Sequence, residues 1–165
     1  MLIGIISDSH DNLPLIDTAV KTLNQQQVEL VLHAGDFVAP FTIPRFAKLN
    51  CRFIGVFGNN DGDHELLKKR FSETKNCAVH ERFTQIVVED YRIALLHGHE
   101  NELLDAVIDS GYFDAVVYGH SHTHSIKRKG KTLEVNPGEL CGYLTGTHTI
   151  AILDTAKNEA KLIEL

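Results

Sequence analysis

Five apolar runs in this chain each end on polar residues able to hold a metal ion, and together they offer seven ligand candidates. Leu2–Ile6 runs into Ser7-Asp8-Ser9-His10, and Val28–Leu32 leads to Gly35-Asp36. Phe53–Phe57 ends in Gly58-Asn59-Asn60-Asp61, and Ile93–Leu96 in His97-Gly98-His99. Ala115–Tyr118 ends in Gly119-His120-Ser121-His122. The candidates are Asp8, His10, Asp36, Asn59, His97, His120 and His122. Short apolar runs bounded by Gly and polar residues read as buried strands. Ligands of open α/β sheets collect just past the carboxyl ends of strands.

Seven donors exceed what one ion with an open position needs. They suit two divalent ions per chain that share a ligand. A carboxylate can bridge two cations, and Asp36, after the turn that Gly35 permits, is the best placed to do so. Asp8 and His10 are two apart, as are His120 and His122. In extended backbone each pair would point to one side. The donors are oxygen and imidazole without thiolate, which favours Mn2+ first, then Ni2+, Fe2+ or Zn2+, over Ca2+ or soft metals. Two such ions can activate a hydroxide held between them and clamp the oxygens of a phosphoryl group.

The bulk numbers bound the rest. At 165 residues the chain is read as one domain, 1–165, able to bury a core without staples. A net charge of −6 argues against broad nucleic-acid binding. The three cysteines, Cys51, Cys77 and Cys141, form no CxxC pair, so a disulfide framework is not expected. The N-terminal run stops at Asp8 without a basic segment before it, and no run nears the ~20 apolar residues of a membrane span. These features predict a cytoplasmic protein that acts on a small substrate away from membranes.

The elements that position the ligands can be read in outline. Asn12 is expected to cap a helix whose apolar face is Leu13, Ile16, Val20 and Leu23, with Pro14 in its first turn. Further helices are expected over 42–49, 64–71 and 101–109, the last closed by Gly111. Hairpins are expected around 89–91, Gly130 and 154–159. Strand–helix alternation followed by antiparallel ribbons predicts an α/β fold of two packed mixed sheets with helices outside. The ribbons leave sheet edges through which a homo-oligomer could form. Phe37, Phe41, Phe46 and Phe57 are assigned to core packing, and His33 to the core or to supporting a ligand. His64, His80 and His148, and the basic hairpin Lys127, Arg128, Lys129 and Lys131, are assigned to the surface.

The ordered set DxH, GD, GNxD, HGH and GHxH resembles the calcineurin-like metallophosphoesterase superfamily, and the likeness runs from Met1 to Leu165. It is nearest to the small single-domain phosphodiesterases of bacteria and archaea, which share a fold with the metallophosphoesterase-like subunit of retromer. The resemblance implies a four-layer αββα sandwich. It implies one ion on Asp8, His10, Asp36 and His122, and another on Asp36, Asn59, His97 and His120. It implies hydrolysis of small or nucleotide-like phosphodiesters by a hydroxide between the metals. The alternatives are a phosphomonoesterase, or a non-catalytic protein-interaction module that keeps the fold. One position departs from the wider pattern. Many members carry His after the metal-binding Asn, as a proton donor to the leaving group; here Asn60 stands there. An amide cannot act as that acid, and Asp61 then lacks the imidazole it would support. His99 is the first substitute for the acid, with His124 behind it.

Overall fold

The computed structural model describes all residues 1–165. Strands β1 (Leu2–Ile6), β2 (Leu30–His33), β3 (Arg52–Val56) and β4 (Cys77–His80) lie parallel in one sheet. The sheet is completed by β10 (Thr149–Asp154), antiparallel to β1, and β11 (Glu159–Glu164), antiparallel to β10. Its order is β11-β10-β1-β2-β3-β4. The second sheet holds β5 (Phe83–Val88), β6 (Tyr91–Leu96), β7 (Ala115–Val117), β8 (Ser125–Lys129) and β9 (Thr132–Asn136), in the order β5-β6-β7-β9-β8. Helices are α1 (Leu13–Gln25), α2 (Ile43–Phe46), α3 (His64–Ser72) and α4 (Asn101–Asp109).

Period-two alternation sends the strand side chains into separate cores and so builds the layers. Ile3 and Ile5 of β1 meet Ile93 and Leu95 of β6 between the sheets. Ile6 faces the other way, among Ile16 and Leu23 of α1, Phe46 of α2 and Phe71 of α3. Ala94, Leu96 and Val116 face outward on the second sheet and are covered by Ile108 of α4 and by Phe113. Three apolar layers thus separate four structural ones, which is the αββα sandwich. Two strand glycines let the outer layer close in. A Cβ on Gly4 would lie 2.5 Å from Leu23 Cδ2, and one on Gly55 would lie 2.5 Å from Phe37 Cζ.

Two expectations are corrected and one strand is added. The helix expected over 42–49 is a 3₁₀ turn (Pro40–Thr42) followed by the four residues of α2. Beyond it, Lys48 and Leu49 donate to the carbonyls of Arg45 and Phe46 in i→i+3 turns, and Asn50 N donates to Asn24 Oδ1, which turns the chain towards β3. Strand β4 was not expected, because Cys77-Ala78-Val79-His80 is too short and mixed to give a β signal. It forms by pairing with β3 at the sheet edge. Phe41 is 56% exposed rather than packed in the core.

Phe37 couples the core to the loop that carries Asp36. It is fully buried, lies 4.0 Å from the His33 ring, and fills the gap left by Gly55. Phe37→Ala should cost about 3–5 kcal/mol in denaturant unfolding, as truncation of a buried phenylalanine does. A loss below about 1 kcal/mol would show that the site collapses around the cavity and that the ring is not structural.

Candidate metal centre

All five strand ends open onto one edge of the sandwich, where their loops are bonded to each other. Asp8 N donates to Gly35 O at 3.0 Å and His10 N to Asp36 O at 3.1 Å, which ties the loop after β1 to the loop after β2. Gly119 N donates to His97 O at 2.9 Å, and Cys141 N to Asp8 O at 3.1 Å. The approach is close enough to exclude side chains at two positions. A Cβ on Gly58 would sit 2.1 Å from Asp36 Oδ1, and one on Gly119 would sit 1.8 Å from Ser7 Oγ.

The backbone at most of the candidate ligands is not extended. Five of the seven have positive φ: Asp8 (52°), His10 (37°), Asp36 (62°), His120 (64°) and His122 (58°). The same-side argument for pairs two residues apart therefore does not apply here. Left-handed turns aim these side chains instead, at a steric cost of about 1–2 kcal/mol for each L-residue. Such strain persists only where surrounding contacts enforce it, and it clusters at functional sites.

Asp36 lies at the centre and is fully buried. Its Oδ2 is 3.4 Å from His10 Nε2 and 3.3 Å from His97 Nε2. Asn60 donates to it twice, from its backbone N at 2.9 Å and from Nδ2 at 2.8 Å. Burial works against charge on Asp36, but His97 and Asn60 outweigh it and hold the carboxyl well below the usual carboxylate range. Asp8, equally buried, is pushed the other way, chiefly by burial, with Asp36 nearby adding to the rise.

Two imidazoles are fixed with one nitrogen turned inward. His97 Nδ1 lies 2.7 Å from the Ala34 carbonyl, which can only accept, so this nitrogen carries a proton. The Nε2 then faces Asp36 Oδ2 at 3.3 Å and Asn59 Oδ1 at 3.1 Å. His122 Nδ1 lies 2.7 Å from Glu139 Oε2, and its Nε2 faces Asp8 Oδ1 at 3.5 Å. In the neutral tautomers these Nε2 atoms point lone pairs at oxygen lone pairs. Only a cation between them, a proton or a metal, makes the arrangement favourable. Asp8 Oδ1 and His10 Nε2 are also buried without any hydrogen-bond partner. An orphaned pair of donor atoms beside two oriented imidazoles fits divalent metal ions, and anchoring of the remote nitrogen is what metal-binding histidines use.

The other predicted residues fall around this centre. The His10 and His122 rings stack at 5.3 Å, while the His120 ring lies 5.1 Å edge-on to His97. The His120 backbone N donates to Asp8 Oδ2. Asn59 is exposed at the mouth. His99 stands 5.5 Å from the His97 ring and 6.0 Å from that of His120, with its Nδ1 buried and unpartnered. Asp61 has no vacant role. Its carboxylate takes the backbone N–H groups of Asp36, Val38 and Gly58, and so clamps the loop after β2 to the loop after β3. His33 is fully buried between Ser9 Oγ and the Gly35 backbone N. His124 is exposed beside the Gly138 turn.

Sequence reasoning missed Glu139. It is fully buried and accepts from His122 Nδ1, Cys141 Sγ, the backbone N–H groups of Leu144 and Thr145, and Thr145 Oγ1. The signal was its place directly after Asn136-Pro137-Gly138, a turn that Asn136 closes by holding Gly119 O and Gly138 N.

The model of the calcineurin-like phosphoesterase superfamily domain matches residues 1–158. The chain belongs to this superfamily. A phosphodiesterase of Methanocaldococcus jannaschii is 42% identical over 165 residues, covering 100% of this chain and 99% of that one. A solved archaeal phosphodiesterase superposes with a TM-score of 0.95 at 42% identity, with both chains covered completely. Vps29 of Entamoeba histolytica, solved with Zn2+, superposes at a TM-score of 0.72 and 19% identity over 100% of this chain and 98% of its own, which shows the fold alone. Membership brings with it divalent-metal chemistry, for which the residues above are the candidate ligands.

Glu139 supplies two measurable consequences. Glu139→Gln should weaken metal binding about 10- to 100-fold by titration, the usual effect of losing an outer carboxylate. Burial opposes the Glu139 charge, but its hydrogen bonds, led by that from His122, bring its pKa from 4.5 down to about 2. A depressed carboxyl stabilises the folded chain fully above its unfolded pKa and loses that contribution as pH falls through the folded one. Metal-free protein should therefore lose stability as the pH drops from 4.5 towards 2, and Glu139→Gln should flatten this limb. An unchanged limb would contradict the assignment.

Proposed function

We propose that this chain is a metal-dependent phosphodiesterase with a dinuclear centre, acting on small or nucleotide-like diesters. The observation that carries the reading is the pair of anchored imidazoles, His97 and His122, whose inward nitrogens face Asp36 and Asp8 across gaps that only a proton or a metal ion makes favourable. The full-length relative named a phosphodiesterase supports the choice of reaction.

Divalent ions bound here supply the Lewis acidity that phosphoryl transfer to water requires. Asp8, His10, Asp36 and His122 would hold one, and Asp36, Asn59, His97 and His120 the other. The stacking of His10 on His122, and of His120 against His97, supports that division. Mn2+ is the first choice, since the donors are oxygen and imidazole. Asn60 keeps the shared carboxylate oriented and offers no acidic proton. Asp61 holds the loops and has its oxygens committed to backbone. His99 is the remaining imidazole beside the centre able to exchange a proton. Three free cysteines suit a reducing compartment, and we place the enzyme in the cytoplasm. No helix is long and apolar enough to cross a membrane.

Three measurements test the reading. Hydrolysis of bis(p-nitrophenyl) phosphate should stop on chelation and return with Mn2+. Loss of activity on every diester across a panel of metals would favour the interaction module, and turnover of monoesters alone would favour the monoesterase. In elemental analysis, Asp36→Ala should lose or loosen both ions; two retained ions would remove Asp36 from the bridge. Rates should fall steeply as leaving-group pKa rises, because general-acid help worth about 10²–10⁴ is missing at Asn60. Asn60→His should flatten the slope. A flat slope in the native enzyme, steepened by His99→Ala, would identify His99 as the acid instead.

A further inference from the structure

The two most exposed large apolar side chains of the molecule are neighbours beside the metal centre. Tyr143 is 63% and Leu144 75% exposed. Single exposed apolar residues are ordinary on protein surfaces, so the place and the build of this pair carry the argument. The Tyr143 ring lies 6.4 Å from the ring of His10, tilted by 49°, and His10 in turn stacks on His122. A row of three neighbouring rings therefore leads from two candidate ligands out to the exposed Tyr143. The candidate ligands themselves are all Asp, His or Asn, so this strip gives an ester's organic group an apolar face beside them.

The loop that presents the pair is pinned. Leu144 N and Thr145 N both donate to the buried carboxylate of Glu139, and Thr145 Oγ1 adds a third bond. Gly146 N closes the loop on Gly142 O at 3.2 Å, and Asn12 Nδ2 holds Cys141 O at 3.1 Å. Both glycines have positive φ, 69° and 73°, which lets the turn carry residues 143 and 144 outward. A fixed loop loses little freedom when a ligand settles on it, so stacking there is not spent on ordering the chain.

We infer that Tyr143, with Leu144, is a substrate-recognition platform that selects diesters carrying a flat aromatic group, an aryl or a nucleobase, on the ester arm that is retained. The inference rests on the phosphodiesterase reading. Tyr143 is a specificity residue, touching substrate rather than taking part in bond breaking. Stacking on one aromatic face is sequence-tolerant and typically changes affinity about 5- to 150-fold per base.

The test compares two diesters with the same p-nitrophenyl leaving group, one retaining a second aryl arm and the other a methyl arm. In Tyr143→Ala the ratio of their kcat/KM values, aryl over methyl, should fall about 5- to 150-fold, chiefly through KM, and Tyr143→Phe should restore it. Val87→Ala, on an exposed residue of the edge strand β5, controls for unspecific loss and should keep the ratio. An equal change for both esters, or an unaltered ratio in the Tyr143→Ala, Leu144→Ala double variant, overturns the platform. If the wild-type protein hydrolyses neither ester, the phosphodiesterase reading falls, and calorimetry decides the platform separately. Diphenyl phosphate should then bind more tightly than dimethyl phosphate and lose that margin in Tyr143→Ala; equal binding overturns it.

Discussion

The structure depends on keeping one carboxylate charged where it cannot reach water. Asp36 is fully buried, and an ionised carboxylate in such a place is costly unless paired and hydrogen-bonded. Three groups meet that requirement: the His97 imidazole, the Asn60 amide and the Asn60 backbone N–H. His10 closes the fourth side. These groups arrive from three strand ends, so the charge on Asp36, itself after β2, is stable only when the loops after β1, β3 and β6 are all in place around it. Asp61 works on the same joint from below, binding the backbone of Asp36 and Gly58 with one carboxylate. A site that is electrostatically satisfied only when complete gives the fold a reason to hold strained backbone at Asp8, His10, Asp36, His120 and His122.

That strain and the sandwich are two sides of one design. Parallel strands deliver their carboxyl ends to one edge, and β1, β2, β3, β6 and β7 all do so. The sheets supply rigid supports while left-handed turns supply the aim. Histidines oriented through their far nitrogens complete the geometry, His97 by the Ala34 carbonyl and His122 by Glu139. Glu139 then extends control outward, because the carboxylate that orients His122 also fixes the loop carrying Tyr143. The chemistry and the surface next to it share a single buried anchor.

The parts legible in the sequence were those with local signals. Apolar runs ending in Gly and a polar residue marked the strand ends, and the candidate donor side chains followed from them; α1 was legible from its cap at Asn12 and its apolar face. What was not legible depended on distant partners. Strand β4 exists because β3 offers an edge, and α2 is cut short because Asn24 captures the chain at Asn50. The extended backbone on which the same-side placement of Asp8 and His10 depended is replaced by left-handed turns, because cross-loop hydrogen bonds override local alternation. Glu139 carried no signal of its own, since the bond that gives it a role reaches back to the His122 side chain, and Asp61 looked unemployed only because backbone donors leave no trace in a sequence.

The central claim is that Asp36 is shared by two cations. Crystals grown with Mn2+ and measured for anomalous scattering test it most directly. The account predicts two peaks per chain flanking the Asp36 carboxylate, one beside His10 and His122 and the other beside His97 and His120. A single peak, or two peaks neither of which lies against Asp36, would contradict it.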